Sequence, residues 1–497
     1  MLYIALAILL VNVRLPQSDE GHFAEGAAEI VTSGTLVTPT WTEWFPTLNQ
    51  HLYAAMPLYF VALAGWFRGF GVGMLSMRYF NVCWGAILVV AYFVFVRSIT
   101  KNKCIALLAL LLMAVNYDLI NLTTARYDGM AAALSGSGLA SYGVLREDHL
   151  WLAILSANTF IAAAAMTHPY GAFGVGSLLV LFLILDRRRF KPKYLVLAAV
   201  PYMIALSAWG VYVSQDMVTF KAQFLGNANA HKTSLRHPLS LVYDELHERY
   251  WVHLAGMRAG VPIYARLKLG LLALYLVSLI GSMLTPQIRK DTGVSAVLAC
   301  LAVVFFALML GDGSHLYNYL VHIISLYSIV LAIWLTHLSR SGRLKRTLVV
   351  LIVCGVGVFT VASIAYRVRL NPYGNAYLPA AAYLQNHVVD GQLVFAGGEF
   401  VFPLGFDRHL LDDPRLGYGN HKHADYIVVG NAYASKFQQQ KIQHPEIYEY
   451  LMRTLRTYTL EFESRAGPDF YRVYARSDLV RQPDVTGSRE QLFDLKF

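Results

Sequence analysis

The chain has 497 residues, 56% of them apolar and 14% charged, with a net charge of +10 and a mean hydropathy of +0.45. Soluble domains carry about 25% charged residues, so this deficit, spread over several long apolar runs, excludes a soluble cytosolic enzyme and specifies a polytopic membrane protein. The basic residues sit in short clusters between apolar runs, where they act as topology signals, and no nucleic acid is expected as a partner.

In chain order, windows of about 20 apolar residues predict spans near 1–13, 79–97, 104–116, 129–145, 151–167, 170–185, 194–214, 267–284, 293–311, 316–337 and 347–366. The first run lacks a basic leading region and a small-residue cleavage site, so it is expected to be an uncleaved, truncated first span. A further apolar stretch, 52–70, decides the orientation of everything after it. If it does not span, the loops on the side of the N-terminus hold Arg97, Lys101 and Lys103, then Arg146, Arg187 to Arg189, Arg289 with Lys290, and Arg340 to Arg346. Those short basic loops are cytoplasmic by the positive-inside rule. The stretch 52–70 is therefore expected to lie along the outer surface as an amphipathic or re-entrant helix.

Three polar regions then face outward: 14–78, 215–266 and everything after 367. In the last, a helix (378–387), strands (392–396 and 425–430), a helix (445–458) and two strand-like runs (459–464 and 470–476) alternate, followed by a polar tail after about Ser477. The fold class expected is an α-helical polytopic membrane protein of about 11 transmembrane helices, with a long first outer loop and juxtamembrane helices, plus a small C-terminal extracytoplasmic α/β domain. The domains expected are a transmembrane catalytic domain, 1–366, and the outer domain, 367–497. Cys83, Cys104, Cys300 and Cys354 lie in or beside apolar runs without a CxxC pair, which argues against a disulfide framework or a thiolate zinc site.

The sharpest chemical feature is Ser18-Asp19-Glu20-Gly21-His22, directly after the first apolar run. Adjacent carboxylates at a membrane boundary suit a general base or a metal ligand, and equally suit the acidic N-terminus of a helix. The same loop carries Ser33-Gly34, then His51-Leu52-Tyr53, then Pro57-Leu58-Tyr59, and ends on Arg78 as the next span begins.

This order of landmarks resembles the first loop of the GT-C membrane glycosyltransferases, in the branch of the protein O-mannosyltransferases and the aminoarabinose transferase of lipid A. The matching residues are Asp19-Glu20, Ser33-Gly34, Pro57-Leu58-Tyr59 and Arg78. Farther on, Arg126-Tyr127-Asp128 looks like the family's Arg-x-Asp, Thr167-His168-Pro169-Tyr170-Gly171 like its Thr-Lys/His-Pro turn, and His315-Leu316-Tyr317 like the basic-aromatic start of a late span. The likeness covers about 1–340. The family's lysine ahead of the Pro-Leu element is replaced by Ala55, which shifts the expected phosphate contact to His51, Arg126 or a cation of the middle loop.

The resemblance implies transfer of a sugar from a polyprenyl-phosphate donor to an extracytoplasmic hydroxyl on a lipid, glycan or protein, with inversion, at the inner membrane. The lipid phosphate leaves as a stable anion, so the acceptor hydroxyl is what needs a base. Asp19 is the expected base, and Glu20 orients it, holds the acceptor, or shares a divalent ion (Mg or Mn) with it. His51, Tyr53, Arg126, Asp128, His168, Tyr170, His315 and Tyr317 are the expected substrate-binding residues, joined by Arg258 and Arg266 of the cation-rich middle loop. The same loop cations also suit contact with membrane lipid head groups. The charge of His315 would depend on pH.

A transporter or lipid flippase is the alternative, with Asp19, Glu20, Arg126 and Asp128 as coupling residues. Such carriers place charges near span midpoints, whereas here the spans are nearly charge-free and the ionisable residues gather in the outer loops, which favours an enzyme.

Overall fold

The computed structural model describes residues 1–45, 47–124, 126–231, 238–257, 268–406 and 409–479. The chain divides into two compact units, one of Met1–Val11, Tyr53–Leu63 and Leu75–Tyr366, the other of Asn12–Leu52, Ala64–Met74 and Arg367–Phe497.

The first unit is a bundle of apolar helices, and each window predicted to span is wholly or mostly helical. Among the described residues, five helical segments are long and apolar enough to cross a membrane: Met74–Thr100, Leu150–Thr167, Lys193–Val213, Thr292–Gly311 and the run that starts at Arg343. The bent pair Lys103–Ala114 and Tyr117–Thr123, at 65°, adds a sixth if it forms one span. Helix Leu58–Phe70 has 13 residues. At about 1.5 Å per residue it falls well short of the roughly 30 Å hydrocarbon core, in keeping with the surface or re-entrant role expected for 52–70.

Small residues set the packing of the bundle. Helix Asp128–Leu145 is rich in Gly, Ala and Ser and lies against Leu150–Thr167. A side chain at Gly138 would come within 2.9 Å of the Ala157 carbonyl oxygen, so the glycine is what lets these backbones approach. Lys193–Val213 instead leaves Leu195, Val196, Met203, Ile204, Leu206 and Val211 exposed, as a lipid-facing helix does. At one of the loop sets predicted to be cytoplasmic, Asp186 gathers the charges: it accepts from Tyr142 Oη at 2.7 Å, Arg146 Nε at 2.8 Å and Arg189 Nη1 at 3.2 Å. The four cysteines are unpaired.

The second unit holds a five-stranded sheet in the order β2-β1-β3-β5-β4, with β1 Val394–Phe395, β2 Leu410–Leu411, β3 Tyr426–Gly430, β4 Tyr458–Ala466 and β5 Asp469–Arg476. β1 runs parallel to β2 and β3, while β3/β5 and β5/β4 are antiparallel. β5, at the strand-like run expected over 470–476, alternates buried and half-buried residues. Val394, Tyr426, Val428 and Val473 face one core together with helix Leu378–His387. Phe395, Ile427 and Val429 face the other, against helices Asn431–Gln443 and Pro445–Leu455.

Two of these elements were not expected. β2 has two residues, too few for any periodicity, and Asn431–Gln443 is a Gln-rich helix held by only Tyr433, Ala434 and Phe437. The tail predicted after Ser477 lies almost wholly outside the described residues.

Candidate functional site

The Asp-Glu motif opens helix Ser18–Thr32 in the second unit. Asp19 and Glu20 occupy its first turn. Glu20 is fully buried, and its Oε1 accepts from the Gln17 backbone N–H at 3.1 Å and from Arg14 Nη2 at 3.2 Å. Asp19 is half-buried. Neighbouring residues on a helix point about 100° apart, so Glu20 turns inward to cap the helix while Asp19 retains access to solvent. His51, also in this unit, is half-buried.

One turn on, the same helix reaches residues that the motif alone did not single out. His22 Nε2 lies 2.9 Å from Asp412 Oδ2, and Trp41 stacks on the His22 ring at 4.7 Å. Ser18 Oγ donates to the same carboxylate oxygen at 2.5 Å and accepts from Gly398 N–H at 2.7 Å, while Tyr433 Oη donates to Asp412 Oδ1 at 3.0 Å. Ser18 and His22 both bond to Asp412 and not to each other, which is not the relay of a nucleophilic serine. Glu25 accepts from Thr40 Oγ1 at 2.5 Å, and burial pushes its carboxyl up to about 7. Gly21 makes this packing possible, because a Cβ there would lie 1.8 Å from the Gly398 carbonyl oxygen. The adjacent Asp412-Asp413 pair was the available sequence signal for this network.

In the first unit, Arg126, Asp128, His168 and Tyr170 come together. Arg126 Nε donates to Asp128 Oδ2 at 2.8 Å, and His168 Nε2 lies 3.7 Å from Asp128 Oδ1. Tyr127 stacks on His168 at 4.9 Å, with Tyr319 at 5.3 Å and Tyr170 edge-on at 4.8 Å. The turn Thr167–Gly171 fits because Gly171 has no side chain; a Cβ would lie 2.4 Å from the Ala164 backbone. His322 joins from the turn Tyr317–His322, and its Nε2, like Asp128 Oδ1, is buried without a hydrogen-bond partner. A second histidine seven residues after His315 was the signal for it.

Asp128, His168 and His322 form a group of ligand-type atoms within 4.8 Å of one another. The expected ligand pair Asp19 and Glu20 is not part of it. The chemistry of the group disfavours a divalent ion. His168 Nδ1 accepts the Tyr170 N–H at 3.2 Å, so the proton of the neutral ring sits on Nε2, the atom that faces Asp128. Burial lowers the His168 pKa to about 3, which keeps the ring neutral. A cation would have to displace that proton and share the carboxylate with the Arg126 guanidinium. The His168 N–H and an Asp128 carboxylate oxygen, with His322 Nε2 beside them, suit a hydroxyl oxygen better.

The remaining candidates have other partners. His315 Nδ1 lies 2.9 Å from Glu245 Oε2 in a buried network where Arg249 bonds Glu245 at 2.7 Å and Asp312 at 3.0 Å. Tyr317 Oη donates to Asp118, which also accepts from Lys268 Nζ at 2.6 Å. Tyr53 is buried; its N–H donates to Gln223 Oε1 at 2.7 Å, and its ring packs on Tyr212 at 5.0 Å. Arg258 and Arg266 lie outside the described residues. The first unit also contains an apolar cavity of about 810 Å³, bordered by Leu246, Tyr250, Leu272, Tyr275, Leu279 and Phe305.

No protein-family model matches the chain, and no curated protein does. Solved structures match it in fold. ArnT from Cupriavidus metallidurans bound to undecaprenyl phosphate aligns with a TM-score of 0.62 at 14% identity, over 97% of this chain and 98% of that one. The archaeal oligosaccharyltransferase AglB from Archaeoglobus fulgidus, in complex with an inhibitory peptide and a dolichol-phosphate, aligns with a TM-score of 0.53 at 10% identity, over 96% of this chain and 74% of that one. Both are GT-C glycosyltransferases. The fold implied by the motif order is the fold observed.

Proposed function

We propose that the protein is an integral membrane glycosyltransferase that moves a sugar from a polyprenyl phosphate to an extracytoplasmic hydroxyl, with inversion. The observation that carries this reading is the fold shared along nearly the whole chain with two transferases, one bound to undecaprenyl phosphate and one to dolichol-phosphate. Neither likeness supports the transporter alternative. The basic loops support an outward-facing site in a plasma (inner) membrane.

In this reading Asp19 is the base. It stands in the first turn of helix Ser18–Thr32 and is half-buried, whereas Glu20 is fully buried and caps the helix. Arg126, Asp128, His168 and His322 receive the donor's polar end, with His168 and Asp128 meeting a hydroxyl. The cavity, apolar apart from Arg289 and Ser295 on its border, suits the isoprenoid chain. No divalent ion is required at Asp128. The acceptor is a lipid, glycan or protein hydroxyl.

The test is release of labelled sugar from polyprenyl-phosphate donors by the purified protein, with water as a poor acceptor. Turnover that disappears in Asp19→Asn supports the reading. A protein that neither binds nor cleaves any donor of a broad panel refutes it.

A further inference from the structure

The sheet of the second unit has a reversal in its winding. β1 lies between β2 and β3, so the chain leaving β1 goes to one side of it and returns on the other. In open α/β sheets such a reversal leaves a crevice beyond the carboxyl ends of the strands, and ligands bind there. Here a cavity of about 210 Å³ occupies that place, bordered by Gly397 and Glu399 after β1, by Gly430, Ala432 and Tyr433 at the end of β3, and by Tyr471.

Two features of the cavity point to a ligand. Glu399 is only 4% exposed; its Oε1 accepts from Tyr471 Oη at 3.0 Å, but Oε2 has no partner. A buried carboxyl oxygen without a partner is costly. Gly397 leaves it room, since a Cβ at 397 would stand 2.3 Å from that same oxygen. The cavity is also bordered by the start of helix Asn431–Gln443, 13 residues long, whose N-cap is Gly430 and which has no capping side chain. Its first amides have no acceptor within the helix.

We propose that this cavity binds one sugar ring of the acceptor, with hydroxyls that donate to Glu399 and accept from the amides that open helix Asn431–Gln443. A hydroxyl both donates and accepts, so neighbouring hydroxyls satisfy both walls together. An anion would oppose the Glu399 carboxylate once it ionises, and a cation would oppose the positive end of the helix. The cavity is smaller than the ~300–1,000 Å³ of drug-sized sites, which limits it to a single ring. Tyr433 and Tyr471 also border the cavity, and aromatic side chains suit the C–H face of a pyranose. Calling the sugar an acceptor rests on the transferase reading; the binding itself does not.

The experiment is saturation-transfer NMR on the full-length protein in nanodiscs with methyl α-mannoside, methyl β-glucoside and N-acetylglucosamine, and phosphorus line widths with inorganic phosphate. At least one sugar is expected to receive magnetisation. That signal should be lost in Ala432→Phe, which fills the mouth of the cavity, and fall several-fold in Glu399→Gln, with an unfolding temperature no lower than the wild type's as the control for each variant. Binding of phosphate alone, no transfer to any sugar, or a signal that survives both substitutions overturns the proposal. No donor and no turnover enter this readout, so it fails independently of the transferase reading.

Discussion

His22 Nε2 and Asp412 Oδ2 lie 2.9 Å apart although 390 residues separate them in the chain. The bond fastens the first outer segment to the C-terminal sheet within the second unit, and the same carboxylate also receives Ser18, Gly398 and Tyr433. An acidic side chain with this many buried donors is a structural centre, because removing it strands all of them at once.

Asp412→Ala is therefore expected to destabilise the second unit by roughly 2–4 kcal/mol. Limited proteolysis of the purified protein should show early cleavage within 367–479, while the apolar helices stay protected. Unchanged proteolysis would remove the claim that Asp412 holds this unit together.

Asp19 and Glu20 should separate by phenotype. Asp19→Asn is expected to lower kcat for donor turnover by on the order of 10²–10⁴-fold, the usual worth of a general base, with little change in thermal stability. Glu20→Gln, which gives up the Arg14 ion pair and weakens the cap, should instead lower the unfolding temperature. Paired kinetics and differential scanning fluorimetry on the two variants make the comparison.

Glu25 and Glu399 predict a pH dependence of stability. Burial raises both carboxyls from 4.5 to about 7, so the folded state holds their protons in a range where the unfolded chain has released them. Their contribution is fully present below about 4.5, declines as pH rises, and is gone above about 7. Glu25→Gln and Glu399→Gln should each flatten the fall in unfolding temperature over that window relative to the wild type. Identical slopes would contradict the assignment.

Donor turnover should persist in the presence of a chelator. The Asp128 carboxylate already has Arg126 as its counter-charge, and His168 presents an N–H rather than a lone pair to the space between them. Activity lost to chelator and restored by Mn or Mg would show that a cation displaces that proton after all. His322→Ala is expected to lower donor affinity, seen as a raised KM, with or without chelator.

The apolar helices were legible in the sequence because burial in a membrane is written locally, as length and composition of a run, and needs no knowledge of neighbours. β5 was legible as a local strand-like run over 470–476, and Asp19-Glu20 suited the acidic start of a helix because a cap is a local device. The meeting of Arg126, Asp128, His168 and Tyr170 was legible only as a set of motifs at helix ends. What only the tertiary structure decided are the encounters between distant segments: His22 with Asp412, His322 with Asp128, Glu245 with His315, and the two-residue β2 beside β1. No local pattern marks these, because each depends on how close two packed backbones come, and that distance is set by glycines such as Gly21 and Gly171 whose neighbours lie elsewhere in the chain or across a turn. The sequence by itself thus determined the class of molecule and the position of its acidic motif, and packing determined that Glu20 is the fully buried carboxylate that caps the helix while Asp19 is half-buried beside it.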